Sequence, residues 1–424
     1  MKPQFKKILL WSQEYTKIDM LYLTKGSFWL FIGRGFNLMA GLAVTVAFAN
    51  LLTKENFGTY QFILSMAAII GSCTLSNMST AITREVANGS EGALRYGFRV
   101  QLQWSAAMAL VSLSVALYYI LIDNTTLAIG FLIVGTFSPF MVGFGLGHSY
   151  LIGKQLFKES VLFGMWRKPI PLIALLGSLA FTRDPIILVF VYFASSTLSS
   201  YLLYLYIVKK FRLPTENNED MVNYSKHLSF IALISVIGSN LDKILIFHFI
   251  GPAAAATYAL ALLPVKHMQS AFGLLRKMAF PKFSKRNYSE LQETLPRKVR
   301  LGILTSAMLV AIYILTAPYV FKLLFPTYPE AILISQVLAL LVLSVPRGFY
   351  TLAFTAHQMK RELYLSRLTL PALTIFFLLI LLPPYGIWGV VAALFISHLV
   401  VNILIRYLFN RRVTTQTFKQ PNGY

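Results

Sequence analysis

The sequence predicts an all-α polytopic membrane protein, with about twelve transmembrane helices in two six-helix bundles related by a pseudo-two-fold axis along the membrane normal. Three observations predict it. The 424 residues are 56% hydrophobic and only 13% charged, with a mean hydropathy of +0.64, whereas soluble domains carry about 25% charged residues. The net charge is +22, but Lys and Arg come as short clusters between apolar runs. That is how membrane chains distribute them, and it argues against nucleic acid as a partner. The most polar connection, KKFRLPTENNEDMVNYSKH from Lys209 to His227, also falls at the midpoint of the chain.

A crossing helix needs roughly 20 mostly apolar residues. Such stretches lie near 27–50, 58–82, 101–122, 127–151, 160–181, 185–208, 227–250, 253–276, 301–322, 330–355, 364–383 and 385–407. A membrane barrel would need alternating segments of about ten residues, and LPALTIFFLLILLPPYGIWGVVAALFISHLVVNILI does not alternate. The start MKPQFKKILLW is basic, but its apolar run is too short for a signal core, so the first helix is expected to stay. With the N-terminus in the cytoplasm, the cytoplasmic segments hold 31 Lys and Arg and the outer connections 3. That asymmetry predicts both termini in the cytoplasm. The Lys209–His227 stretch reads as a flexible cytoplasmic linker between two lobes, 1–213 and 214–424, with Glu216, Glu219 and Asp220 as an acidic patch.

An internal repeat supports the two lobes. The turn LLTKENFGTYQF follows the first helix and FIGPAAAATYALA follows the seventh. A shift of 198 residues lays Thr59–Tyr60 on Thr257–Tyr258. Equal helix numbers and the same orientation make this a parallel repeat. The arginine in GRGFN, the LTKENFGTYQ turn and the segment SNLDKILIFHFIGPAAAATYALA resemble the multidrug/oligosaccharidyl-lipid/polysaccharide exporter superfamily, in its polysaccharide (O-antigen type) flippase branch. The resemblance implies alternating-access movement of an undecaprenyl-pyrophosphate-linked oligosaccharide across the bacterial inner membrane; no cofactor is expected, and H+ or Na+ is the coupling ion that an intramembrane acid would take up. The partners it implies are the lipid-linked substrate, membrane lipids and other polysaccharide assembly proteins.

Four of the 38 basic residues lie inside predicted helices: Arg34, Lys243, Lys266 and Arg347. Intramembrane charges face a bundle interior or a watery cavity. One acid, Asp242, accompanies them, which leaves three cations over. A pyrophosphate supplies the missing anion, held by the arginine fork and the lysine point charge. A sugar asks for hydroxyl and amide groups instead. Asn37, Asn240, Gln269, Ser72 and Ser76 are candidates for that part of the cavity, although small polar residues also serve close helix packing. Asp242 and Lys243 point about 100° apart on a helix and cannot neutralise each other. Asp242 therefore either pairs with Lys266 across the hairpin or takes up the coupling ion.

Other patterns carry less. Cys73 is the single cysteine, so no internal disulfide forms, and the glycines of GFGLG at 143–147 suit close packing. No His/Cys/Glu grouping has metal-ligand spacing. Two rival functions stay open. A cation-coupled drug exporter of the same superfamily would want cavity carboxylates, and only Asp242 is available. A membrane sugar polymerase would need a large aqueous loop, while the longest outer connection is about eight residues.

Overall fold

In the computed structural model the described residues are 20–211, 213–214, 218–357 and 359–411, and among them the regular structure is helical throughout. The helices are α1 (Met20–Leu51), α2 (Lys54–Ser72), α3 (Met78–Ala87), α4 (Ala93–Leu121), α5 (Thr125–Gly145), α6 (Gly147–Gly153), α7 (Phe157–Arg167), α8 (Pro169–Ser178) and α9 (Pro185–Phe211). They continue with α10 (Glu219–Phe249), α11 (Pro252–Lys285), α12 (Tyr288–Leu324), α13 (Glu330–Ala339), a 3-10 turn (Leu340–Arg347), α14 (Gly348–Ala356) and α15 (Lys360–Arg411). Gly386 at φ 58° and ψ −137° divides α15 into a helical hairpin, a backbone conformation that only glycine adopts without strain. Read as traverses, these elements make the twelve expected segments. Seven helices among the described residues are individually long and apolar enough to cross a bilayer, counting α15 once.

Two of the other traverses are interrupted, for local reasons. Between α2 and α3 the helix opens at residues 73–77. There the Ser72 hydroxyl donates to the Ile69 carbonyl at 2.6 Å, and that of Thr74 donates to Gly71 at 2.8 Å. Such bonds compete with the helical ladder. The opened backbone is satisfied from α10: the Asn77 amide donates to the Ser229 hydroxyl at 3.0 Å and its side-chain amide to the Leu228 carbonyl at 3.1 Å. Non-helical backbone at membrane depth is tolerated only with such partners. The fifth traverse is split at Lys168, with Pro169 opening α8.

The expected flexible linker is largely helix. α9 runs to Phe211 and α10 starts at Glu219, so only 212–218 is left between them, with 212 and 215–217 outside the described residues. Glu219 and Asp220 occupy the first turn of α10, where the helix dipole favours acids. The Asn218 side chain caps that turn by accepting from the Met221 amide at 2.9 Å.

The chain forms two compact units: Met1–Leu51 with Ala67–Leu233, and Leu52–Met66 with Ile234–Tyr424. In the first, α4 and α5 form a close hairpin in which the Ser112 hydroxyl donates to the Phe131 carbonyl at 2.7 Å. Its core gathers Met78, Ile82, Leu94, Tyr150, Ile207 and Met221. A Cβ on Gly143 would crowd the Phe98 ring at 3.2 Å and one on Gly147 would crowd Ile207 at 3.0 Å, so the GFGLG glycines do serve packing. In the second unit, Gly251 at φ 122° and Pro252 turn α10 into α11. Residues 52–66 lie on this turn. A Cβ on Gly58 would sit 1.8 Å from the Pro252 carbonyl oxygen, Phe62 stacks on Phe247 at 4.0 Å, and Lys54 pairs with Glu330 at 2.9 Å. The two repeated turn motifs thus pack on each other within one unit.

Candidate functional site

The polar heart of the second unit lies on the α10–α11 hairpin. Because the turn is at residues 250–251, residues equally distant from it on the two arms meet. Asp242 and Tyr258 are such a pair, and the Tyr258 hydroxyl donates to Asp242 Oδ2 at 2.6 Å. Asp242 is 5% exposed and Tyr258 0%. Asp242 Oδ1 accepts from the backbone amide of Lys243 at 2.8 Å. Both oxygens are thus held by hydrogen bonds, and the pairing expected between Asp242 and Lys266 is not the one formed. A tyrosine of the facing arm takes the carboxylate instead.

Lys266 stands beside Lys243, close enough for the two ammonium groups to repel. Lys243 Nζ also donates to the Ser65 hydroxyl at 3.4 Å, and that hydroxyl donates onward to the Gln61 carbonyl at 2.8 Å. Among the described residues neither lysine has a carboxylate within ion-pair distance. Two like charges side by side in a medium of reduced dielectric repel strongly. An anion bridging them would relieve that.

The other predicted positions divide. Arg34 lies on α1, with its side chain outside the described residues. Asn37, one turn on, has a buried Oδ1 without a hydrogen-bond partner, as has the Ser76 hydroxyl in the opened 73–77 stretch. Ser72 is turned to its own helix at the Ile69 carbonyl. Asn240 donates to the Val236 carbonyl at 3.0 Å, and Gln269 is half-buried. Arg347 keeps different company. The Arg276 guanidinium covers Gly348, and Arg300, Arg347 and Arg406 act together on Tyr350. Arg276 is ten residues beyond Lys266 along α11, about 15 Å of helix.

The structure adds residues that the sequence reading assigned elsewhere. Arg167 and Lys168, counted with the connection 154–168, sit at the junction of α7 and α8 in the middle of the fifth traverse. Arg167 lies against Gly145 and acts electrostatically on Tyr192 and His148. The prolines at 169 and 171 were the available signal, because they mark a helix junction inside an apolar run. Among the described residues no group of three or more His, Cys, Asp or Glu could hold a metal ion.

Comparison with known proteins decides the family. Sequences described as polysaccharide biosynthesis protein match residues 23–287, more than half of the chain. The chain belongs to this family. No curated protein is similar in sequence at a significant level. Solved structures of the same fold include an inward-facing multidrug resistance MATE family transporter of the MOP superfamily, at TM-score 0.63 and 14% identity over 91% of this chain and 96% of that one. An outward-facing MATE family transporter is similar at TM-score 0.58 and 15% identity, over 94% and 97%. A MOP superfamily transporter from Pyrococcus furiosus, described as having a binding pocket of reverse polarity, is similar at TM-score 0.61 and 14% identity, over 93% and 95%. This family member therefore has the fold of the exporter superfamily that its sequence resembles, and it is a multi-pass membrane protein.

Proposed function

We propose that the chain is a flippase that carries an undecaprenyl-pyrophosphate-linked oligosaccharide from the cytoplasmic to the outer leaflet by alternating access, and not an enzyme. The observation that carries this reading is the Lys243–Lys266 pair. The one intramembrane acid beside it is engaged by Tyr258, so the pair presents two ammonium groups with no carboxylate bridging them. A pyrophosphate fits that charge, whereas a cationic drug would be repelled by it. Arg34 in the first unit is proposed as a further phosphate ligand and Arg347 as a cation along the path. Asn37, Ser76, Asn240, Gln269 and Ser72 are proposed to meet sugar. Asp242, held by a hydroxyl and a backbone amide, is the group proposed to take up H+ or Na+. The family's description supports the polysaccharide side of this reading.

The test is binding of undecaprenyl pyrophosphate to the detergent-purified protein. Lys243→Gln with Lys266→Gln should weaken it by at least about tenfold, from loss of two charge-assisted contacts. Equal affinity in the double variant would remove the pair from the site.

A further inference from the structure

The second unit leaves two apolar stripes exposed. On α12 the stripe is Leu304, Met308, Ile312 and Leu315, and on the second arm of α15 it is Leu399 and Ile403, at 49–73% exposure. Spacings of three and four put each set on one helical face. In a multi-pass membrane chain such a face meets lipid. Each stripe ends on an arginine. Arg300 stands one turn before Leu304 and Arg406 one turn after Ile403, and both are exposed.

Their depth follows from helix length. Arg406 is 20 residues from the Gly386 turn, and Arg300 is 22 residues from Lys322 in the last turn of α12. At about 1.5 Å per residue these are roughly 30 and 33 Å, close to the hydrocarbon thickness of about 30 Å. Four traverses separate the two arginines along the chain, so they share one side of the membrane. Both stand at the hydrocarbon edge, with the apolar stripes running inward from them.

The feet of the two helices meet around the 3-10 turn. A Cβ on Gly302 of α12 would sit 3.0 Å from Pro346, and the Ser344 hydroxyl lies 3.5 Å from His398 Nδ1 of α15. Val299 and Ile405, which directly precede the two arginines, share one buried cluster with Tyr350. Arg300 and Arg406 also act on Tyr350 electrostatically, together with the half-buried Arg347. Among the described residues none of the three has a carboxylate within ion-pair distance. Basic sites between helices at this level attract anionic headgroups.

We infer that one anionic phospholipid of the surrounding bilayer sits between the feet of α12 and α15, its phosphate on Arg300 and Arg406 and its acyl chains along the two stripes. The headgroup lies at the edge and the chains lie inside the hydrocarbon, as the depths of these residues require. The contact uses neither Lys243 nor Lys266.

The protein is purified in detergent from membranes containing phosphatidylglycerol and phosphatidylethanolamine, and retained lipid is counted by native mass spectrometry. Wild type should retain phosphatidylglycerol in preference to phosphatidylethanolamine. Arg300→Gln with Arg406→Gln should lower that retention by about tenfold through loss of the phosphate contacts. Both side chains are exposed, so the unfolding temperature should not change. Lys209→Gln with Lys210→Gln removes the same charge from exposed positions at the end of α9 and should leave retention as in wild type. Excess inorganic phosphate should not displace the lipid. Equal retention of the two lipids by wild type, undiminished retention in the arginine variant, an equal loss in the lysine variant, or displacement by inorganic phosphate would each overturn the proposal. The readout is lipid retention and not transport, so failure of the flippase reading would leave it standing.

Discussion

Asp242 is the residue at which sequence and structure part most informatively. Its burial and its inability to neutralise Lys243 follow from helix geometry alone. Its partner does not, because a charged residue draws attention to other charges and Tyr258 is uncharged. The hairpin symmetry about Ile250 held the answer, since 242 and 258 are equally far from it. Tyr258→Phe removes the donor to Asp242 Oδ2 and leaves a buried carboxylate oxygen short of a partner, at a cost of about 1–3 kcal/mol. Asp242→Asn keeps an amide oxygen for the tyrosine and should cost less. Lys266→Gln, which relieves repulsion from Lys243, should not destabilise at all. Unfolding temperatures of the detergent-purified variants give the order. A Lys266→Gln variant less stable than Tyr258→Phe would mean that the lysine holds Asp242 after all.

At the scale of elements, hydropathy found an apolar core in each of the twelve helical segments but missed the polar extensions of several, such as 288–300 of α12, and saw none of their interruptions. The opening at 73–77 arises from hydroxyls that bond back to Ile69 and Gly71, which a composition window averages away. Arg167 and Lys168 were drawn into a connection because charge is the usual mark of a loop, whereas Pro169 makes them a junction within a traverse. The turn around Gly58 was legible as a motif but not as a contact. A side chain there cannot be accommodated without moving the Pro252 carbonyl, whose oxygen lies 1.8 Å from where a Cβ would stand. Gly58→Ala should therefore destabilise by about 1–3 kcal/mol. Gly177→Ala, at a helical glycine with nothing within 4 Å, should be neutral or slightly stabilising. Fluorescence-detected size exclusion after heating compares the two, and equal survival would show that the Gly58–Pro252 approach is not tight.

For the whole molecule, fold and family were legible because bilayer thickness, charge asymmetry and a repeated turn all act on composition. The position of residues 52–66 in the second unit was not, since the unit a segment joins depends on packing at single glycines and aromatic rings. The orientation remains a proposal drawn from the distribution of Lys and Arg. In a Cys73→Ala background, Asn223→Cys should resist an impermeant thiol reagent added outside cells, and Tyr385→Cys, beside the Gly386 turn, should react. The opposite pattern would invert the chain in the membrane. The central claim is the nature of the cargo, and one measurement addresses it most directly. Proteoliposomes containing the protein are loaded with a fluorescent undecaprenyl-pyrophosphate-linked oligosaccharide and, in parallel, offered the cationic dye ethidium under the same ion gradient. The lysine pair predicts transfer of the lipid-linked oligosaccharide between leaflets, abolished by Lys243→Gln with Lys266→Gln, and no uptake of the dye. Ethidium uptake without movement of the lipid-linked sugar would contradict it.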